Sequence, residues 1–469
     1  MADEPSIAAP PRQDRLAAVL ANLPHAETRV GACVIDLATG KTVFALNPDR
    51  AMLPASTAKV FVMAAALSEL GADFTFETLL ARDAENLYLV GGGDPALGDQ
   101  KIDTRAGRSR LAVFEQWSTD LAASGVTEVL GDLVVDGSIF DDELLHPTWE
   151  QSDLNKWYAA PVGGLNFNDN CVDVTVAPAA LAGAPAEVSV FPKCAAVTIV
   201  NKCRTGSKKS PLLHHEFDST EYRVTGQCNK RWPFASLSFP SPGLLAAETL
   251  RSVLSDHGVT IRGTIRGGRA RLDDGGLPAE LTIIGRYHTP LADVLGRIGK
   301  DSQNLFAECL IKRIGVEWAR RRGERAARGS WSNGAAAIGE MLRRAGVDAT
   351  GLRVADGSGL SRENACTPRQ LAAVLAWMYA RPEGGILRES LSIAGVDGSL
   401  RKRMRDLAPR IQAKTGTMKG VRTLCGYIDA DTQGGVAFAI MFNGIKGSSA
   451  PYKRIQDGFC GILAAHGKR

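Results

Sequence analysis

The 469 residues carry 55 Lys and Arg against 51 Asp and Glu, a net charge of +4, and 45% of them are apolar. That composition supports a sizeable core and two or three domains, and the near balance of charge without a dense Lys/Arg block excludes a nucleic-acid groove. No run of about 18 apolar residues is present, so no helix is expected to span a membrane.

The first residues, Met1 to Pro5, lack the positive start and apolar core of a signal peptide. Either the protein is cytoplasmic or its signal was removed. Residues 14–22 read as a short helix. Arg29 to Asp36 and Lys41 to Leu46 alternate apolar and polar around Leu37-Ala38-Thr39-Gly40, the pattern of a hairpin. An Ala-rich apolar run then follows Pro54 and ends near Gly71, a buried helix by its pattern. At its start stands Ser56-Thr57-Ala58-Lys59. Residues three apart share a helix face, and a desolvated lysine amine can take the proton of a neighbouring hydroxyl. The stretch can therefore make a nucleophile without a histidine. Leu87 to Val90 reads as a strand running into the turn Gly91-Gly92-Gly93-Asp94-Pro95, which lacks the Gly-Lys-Ser/Thr of a phosphate loop.

Residues 98–290 are broken by Gly, Pro and Asn into short strands: Val172–Val176, Ala186–Phe191, Ala195–Val200, Val259–Ile265 and Glu280–Ile284, with helices at Ala112–Ala123 and Pro242–His257. Four of the nine cysteines, Cys171, Cys194, Cys203 and Cys228, fall here, with His214 and His215 among them. At least one disulfide is the leading expectation, and free thiols or a metal site are the alternatives. Cys33, Cys309, Cys366, Cys425 and Cys460 lie in apolar segments and read as buried thiols. Helices are expected again at Asp301–Ala319, Gly334–Ala345 and Pro368–Ala380, then two adjacent strands (Val421–Asp429 and Gly435–Phe442), and a last helix from Tyr452 to His466.

Two more motifs carry chemistry. In Ser302-Gln303-Asn304 the serine can relay a proton, and the asparagine offers amide donors and a carbonyl acceptor. In Lys414-Thr415-Gly416-Thr417 a lysine and a hydroxyl suit a carboxylate, and the glycine permits close approach. The Thr417 and Ser56 backbone N–H groups can form an oxyanion hole.

Taken in order, Ser-x-x-Lys, Ser-x-Asn and Lys-Thr-Gly resemble the signature of the active-site serine penicillin-recognising enzymes. The long interval between Lys59 and Ser302 narrows this to the S13 D-alanyl-D-alanine carboxypeptidase/endopeptidases, the low-molecular-mass class C penicillin-binding proteins. Gly91–Pro95, Tyr158–Pro161, Asn166–Asn170, Asp356–Arg362 and Ala394–Leu400 are similar to segments of that family. The resemblance implies an α/β (α+β) fold: a serine β-lactamase/transpeptidase-like catalytic domain with an antiparallel sheet covered by helices, from residues 1–80 and 288–469. A β-rich inserted domain would comprise 81–97 and 162–287, with a second insertion at 98–161 nested in it. It implies Ser56 as acyl-ester nucleophile, Lys59 as its base, and Ser302, Asn304 and Lys414 as the remaining catalytic groups. Thr415, Gly416, Thr417 and Ser358 would face the substrate. Asp153, Tyr158, Arg362 and Met418 would receive the diamino-acid side chain of a stem peptide, although Lys419 departs from the uncharged residue expected. The implied function is serine DD-peptidase action on the D-Ala-D-Ala bond of peptidoglycan stem peptides, with D-Ala-diaminopimelate cross-links as a second substrate the family suggests, β-lactams as covalent inhibitors and no cofactor or metal. The family is exported, so the chain reads as a mature periplasmic or extracytoplasmic form with an added Met1. A serine β-lactamase and a non-catalytic cell-wall binder are the alternatives.

Overall fold

The computed structural model describes residues 11–429 and 435–465; the region of Met1 and His466 lie outside them. The chain divides into two compact units, Met1–Ala72 with Leu295–Gln303 and Ile338–Arg469, and Asp73–Val294 with Asn304–Ala337.

The first unit is built on a six-stranded sheet in the order Ser392–Ile393, Ile411–Met418, Val421–Ile428, Val436–Asn443, Arg29–Asp36 and Thr42–Leu46. Every pairing in it is antiparallel. The two ends of the chain meet where Arg29–Asp36 pairs with Val436–Asn443, from Arg29 opposite Asn443 to Asp36 opposite Val436. All eight residues of Val436–Asn443 are buried, as a strand covered on both faces must be, so it reads as a continuous apolar run. Leu16 and Leu20 of the helix Arg12–Ala21 pack with Tyr452, Phe459 and Leu463 of Ala450–Ala464 in the core against the sheet. The helix Pro368–Tyr379 also packs on this sheet; Thr367 caps it reciprocally with Gln370, and Pro368 opens it.

The second unit contains a five-stranded mixed sheet in the order Ile265–Gly267, Leu133–Asp136, Leu87–Val90, Thr75–Arg82 and Thr282–Pro290. Helices Ala112–Ala123 and Pro242–Asp256 bury Phe114, Trp117, Ala246 and Leu250 with Leu80, Leu87 and Leu89 of that sheet. A smaller sheet surrounds Cys171–Ala177. The run expected as one strand over Val259–Ile265 is two short strands, Thr260–Ile261 and Ile265–Gly267, and Gly263 between them lies close to the Gly131 carbonyl.

Among the described residues the expected disulfide is absent. All nine cysteines are thiols. Cys203 and Cys228 are buried with Val172, Val174, Tyr222 and Phe239, and Cys194 packs against that cluster. These sulfurs act as small apolar side chains. Among the described residues no group of three His, Cys, Asp or Glu side chains could hold a metal ion.

Candidate active site

The serine-bearing turn differs from the expected helix start. Ala55–Ala58 is a single 3-10 turn, and the α-helix Lys59–Glu69 begins only at the lysine. Ala55 sits in the left-handed region at φ 46°, uncommon for a residue with a side chain. The turn is held from three directions. Asn443, at the end of the central strand, accepts from Leu53 N–H at 2.7 Å and donates to the Leu53 carbonyl at 3.1 Å. Thr423 Oγ1 and Thr57 Oγ1 each donate to the Pro54 carbonyl at 2.7 Å. Gly416 lies against the same turn, where a Cβ would come within 2.0 Å of Thr423 Oγ1 and 2.7 Å of the Pro54 carbonyl.

Lys59 is fully buried. Its Nζ lies 3.0 Å from Ser56 Oγ and donates to the Ser358 carbonyl at 2.7 Å. The loop supplying that carbonyl is fixed by the buried Asp356, which accepts from Gly359 N–H at 2.8 Å, Ser361 N–H at 2.6 Å and Asn364 Nδ2 at 2.7 Å. Ser358 is itself fully buried, and what it presents to Lys59 is its backbone oxygen.

The expected helix over Asp301–Ala319 is corrected. Leu291–Lys300 and Asn304–Arg321 are separate helices, and Ser302 occupies the break at φ 60°. Such backbone strain in a folded protein is held by its surroundings, at about 1–3 kcal/mol for one residue, and it clusters at functional sites. Lys414 Nζ donates to Ser302 Oγ at 2.7 Å and to the Thr415 carbonyl at 3.0 Å. Burial pulls the Lys414 ammonium well below its ordinary value of 10.5, and Lys59 adds to the effect when it carries its proton. Lys414 is therefore biased toward the neutral amine, the form that accepts a proton. The first unit thus brings together Ser56, Lys59, Ser302 and Lys414, two hydroxyls each paired with a buried amine.

A match to the family described as "D-Ala-D-Ala carboxypeptidase 3 (S13) family" covers residues 12–465. The chain belongs to that family. It is 33% identical to the D-alanyl-D-alanine carboxypeptidase of an Actinomadura species, over 93% of this chain and 81% of that protein. It is 27% identical to the D-alanyl-D-alanine carboxypeptidase DacB of Haemophilus influenzae, over 89% and 86%. The crystal structure of penicillin binding protein 4 from H. influenzae superposes with a TM-score of 0.77 at 24% identity, over 96% of this chain and 99% of that one. A second structure of that neighbour, complexed with a β-lactam, superposes at 0.72 with 23% identity. These two likenesses establish the shared fold. This S13 chain is a serine-type D-Ala-D-Ala carboxypeptidase.

The remaining expected site residues divide between the units. In the first, Thr415 Oγ1 donates to Ser399 Oγ at 2.9 Å, Thr417 Oγ1 is held by Arg422, and Arg362 donates to the Lys419 carbonyl at 3.3 Å. Met418 ends the same strand opposite Val421. In the second, Tyr158 donates to Asp153 at 2.8 Å, and the Asn304 amide donates to the Tyr158 carbonyl at 2.7 Å. Burial and then the Asp153 carboxylate push the Tyr158 phenol up to about 12, so it is a donor at neutral pH.

Sequence reasoning missed several supporting residues. Ser399 and Ser392 continue the hydroxyl chain from Thr415, 3.1 Å apart. Ser399 lies in the family-like segment Ala394–Leu400, a signal that could have found it. Asn443 and Thr423 hold the turn before Ser56 from distant strands, and no local pattern marks them.

Proposed function

We propose that Ser56 is the acylated nucleophile of a peptidoglycan DD-peptidase. The observation that carries this reading is the pairing of Ser56 Oγ with Lys59 Nζ at 3.0 Å in a unit that also pairs Ser302 with Lys414 at 2.7 Å. Lys59 takes the hydroxyl proton as Ser56 attacks the carbonyl of the penultimate D-Ala. The backbone N–H groups of Ser56 and Thr417 receive the developing oxyanion. Ser302, relayed by Lys414, passes a proton to the departing amine, and water then releases the acyl group. Lys414 and Thr415 suit the terminal carboxylate as hydrogen-bond donors, an N–H and an O–H. Asn304 orients the peptide backbone. Asp153, beside Tyr158 in the second unit, takes the ammonium at the free end of a diamino-acid side chain. The substrate places the enzyme outside the cytoplasm.

A β-lactam carries a strained carbonyl that the same serine opens into a stable ester. Intact-mass spectrometry after penicillin treatment tests the reading. A single adduct is expected on the wild type, none on Ser56→Ala, and almost none on Lys59→Ala. An unshifted wild-type mass, or an adduct that survives Ser56→Ala, overturns it.

A further inference from the structure

The turn Gly91-Gly92-Gly93, singled out by its composition, has no part in the chemistry above. It borders a cavity of about 320 Å3 within the second unit, whose lining includes Glu77, Gly92, Arg271, His288, Arg313 and Arg320. Three guanidinium groups converge there from two places in the chain. Arg271 is anchored at its backbone: the Ala270 and Arg271 N–H groups donate to Asp136 at 2.8 and 2.9 Å. Its Nη1 and Nη2 donate to the Gly275 carbonyl at 2.9 Å and the Gly91 carbonyl at 3.2 Å. Its Nε is buried and has no hydrogen-bond partner among the described residues, an unusual state for a buried donor. Arg313 lies over the Phe74 ring, 5.0 Å from its centroid. Gly275 lets Arg320 reach the cavity wall, since a Cβ there would stand 2.2 Å from Arg320 Nη2.

Glu317 and Glu77 stand near these three cations, and each is already paired. Glu317 is shared by Arg313 at 2.6 Å and Arg320 at 3.0 Å. Glu77 pairs with Arg286 at 2.5 Å. Burial lowers the Arg271 and Arg313 guanidiniums below their ordinary values; Asp136 and Glu77 at Arg271, and Glu317 at Arg313, offset part of this, and Arg320 repels both. A bound anion would offset both costs.

We propose that this cavity binds a phosphate group, free or esterified to a small organic moiety. The fork geometry of arginine matches phosphate oxygens bidentately. Three guanidiniums offer more donors than the two oxygens of one carboxylate can accept, whereas a phosphate monoester brings three terminal oxygens and close to two negative charges. The volume lies at the lower end of small-molecule pockets, about 300–1,000 Å3, so it suits a phosphate with a short organic tail.

Calorimetric titration of the full chain, with ionic strength held constant by chloride, tests this with inorganic phosphate, glycerol 2-phosphate and acetate. The expected result is saturable one-site binding of phosphate and none of acetate, weakened about tenfold or more in Arg271→Gln and Arg320→Gln, since each removes one cation and its remaining donors. Tighter binding of glycerol 2-phosphate assigns the site to an ester, and binding of inorganic phosphate alone assigns it to the free ion. Arg320 is 31% exposed, so Arg320→Gln carries the comparison if Arg271→Gln does not fold by circular dichroism. No saturable binding of either phosphate, equal binding of acetate, or undiminished binding by a folded Arg320→Gln overturns the proposal.

Discussion

Gly359 packs so closely on Ala55 that a Cβ placed on it would lie 2.0 Å from the Ala55 carbonyl oxygen. Gly359 also adopts φ 80°, and Ala55, immediately before the nucleophilic serine, adopts φ 46°. The contact sets where the Ser358 carbonyl meets Lys59. Gly359→Ala meets both a backbone collision and a disfavoured φ, so it should destabilise the fold by more than about 1 kcal/mol. It should also slow penicillin acylation by at least about tenfold, because displacement of reacting groups by about 1 Å is costly. Urea unfolding and a stopped-flow acylation rate check the two effects. A wild-type acylation rate would show that this contact does not position the nucleophile.

Lys414 gives a pH dependence with a definite sign. Burial lowers its folded-state pKa well below 10.5. Between that depressed value and 10.5 the unfolded chain binds the proton and the folded chain does not. Stability from this group therefore rises as pH rises through that window and is lost as pH falls through it. Lys414→Met keeps a similar length and removes the amine. It should abolish peptidase turnover, yet be at least as stable as the wild type at pH 7, because it no longer buries an ionisable group. The gain in melting temperature of the wild type between pH 7 and pH 9.5 should shrink in the variant. An equal pH response in both proteins would contradict the assignment.

The legible parts of the fold are those where pattern and packing agree. The hairpin from Arg29 to Leu46 and the two final strands show their period or their apolar runs, and they pair as expected. Ser302 shows where local reading stops. Asp301-Ser302-Gln303 is compatible with a helix, but Gly299 packs within 1.9 Å of the Ser390 carbonyl, measured from a Cβ placed on it. The Ser302 hydroxyl also meets Lys414 from a strand more than a hundred residues later. Those contacts come from distant chain and leave no periodicity. The cysteine cluster misled for a related reason: sequence proximity resembles a disulfide framework, while Cys194, Cys203 and Cys228 pack into or against an apolar core and Cys171 is buried.

The thiols themselves are countable. Burial raises Cys171, Cys309, Cys366, Cys425 and Cys460, which suppresses the reactive thiolate. Native protein should react slowly with a disulfide reagent. Denatured protein that has never met a reductant should release all nine equivalents. Seven or fewer equivalents would reveal a disulfide.

Asp153 and Tyr158 make a local pair in the second unit, 2.8 Å apart. If Asp153 receives the ammonium of a diamino acid, Asp153→Ala should reduce kcat/KM for substrates with that free end by about tenfold or more, the scale of a charged hydrogen bond. Short acyl-D-Ala-D-Ala substrates should be nearly unaffected. Equal losses on both would assign Asp153 a purely structural role, through Tyr158 and the Lys156 ammonium 3.4 Å away.

Lys312 tests the rigidity of the segment that carries those residues. The side chain is fully buried and its Nζ donates to Asp141 at 2.7 Å and to the Glu143 carbonyl at 2.6 Å. It also lies 3.8 Å from the centroid of Trp331, whose indole donates to the buried Glu308 at 2.8 Å. The chain from Asp141 onward is thus tied to the helix that Asn304 opens. Removing the cation strands a carboxylate and a carbonyl. The cost of breaking a buried pair is about 3–5 kcal/mol, and Asp141 is 29% exposed, so water recovers part of it. Lys312→Met should lose about 2–3 kcal/mol of unfolding free energy. Adding Asp141→Asn should restore part of that loss, because the two residues share one interaction. Urea unfolding of the four proteins in the cycle measures the coupling. Additive losses would mean that Lys312 acts through its packing on Trp331 and not through the ion pair.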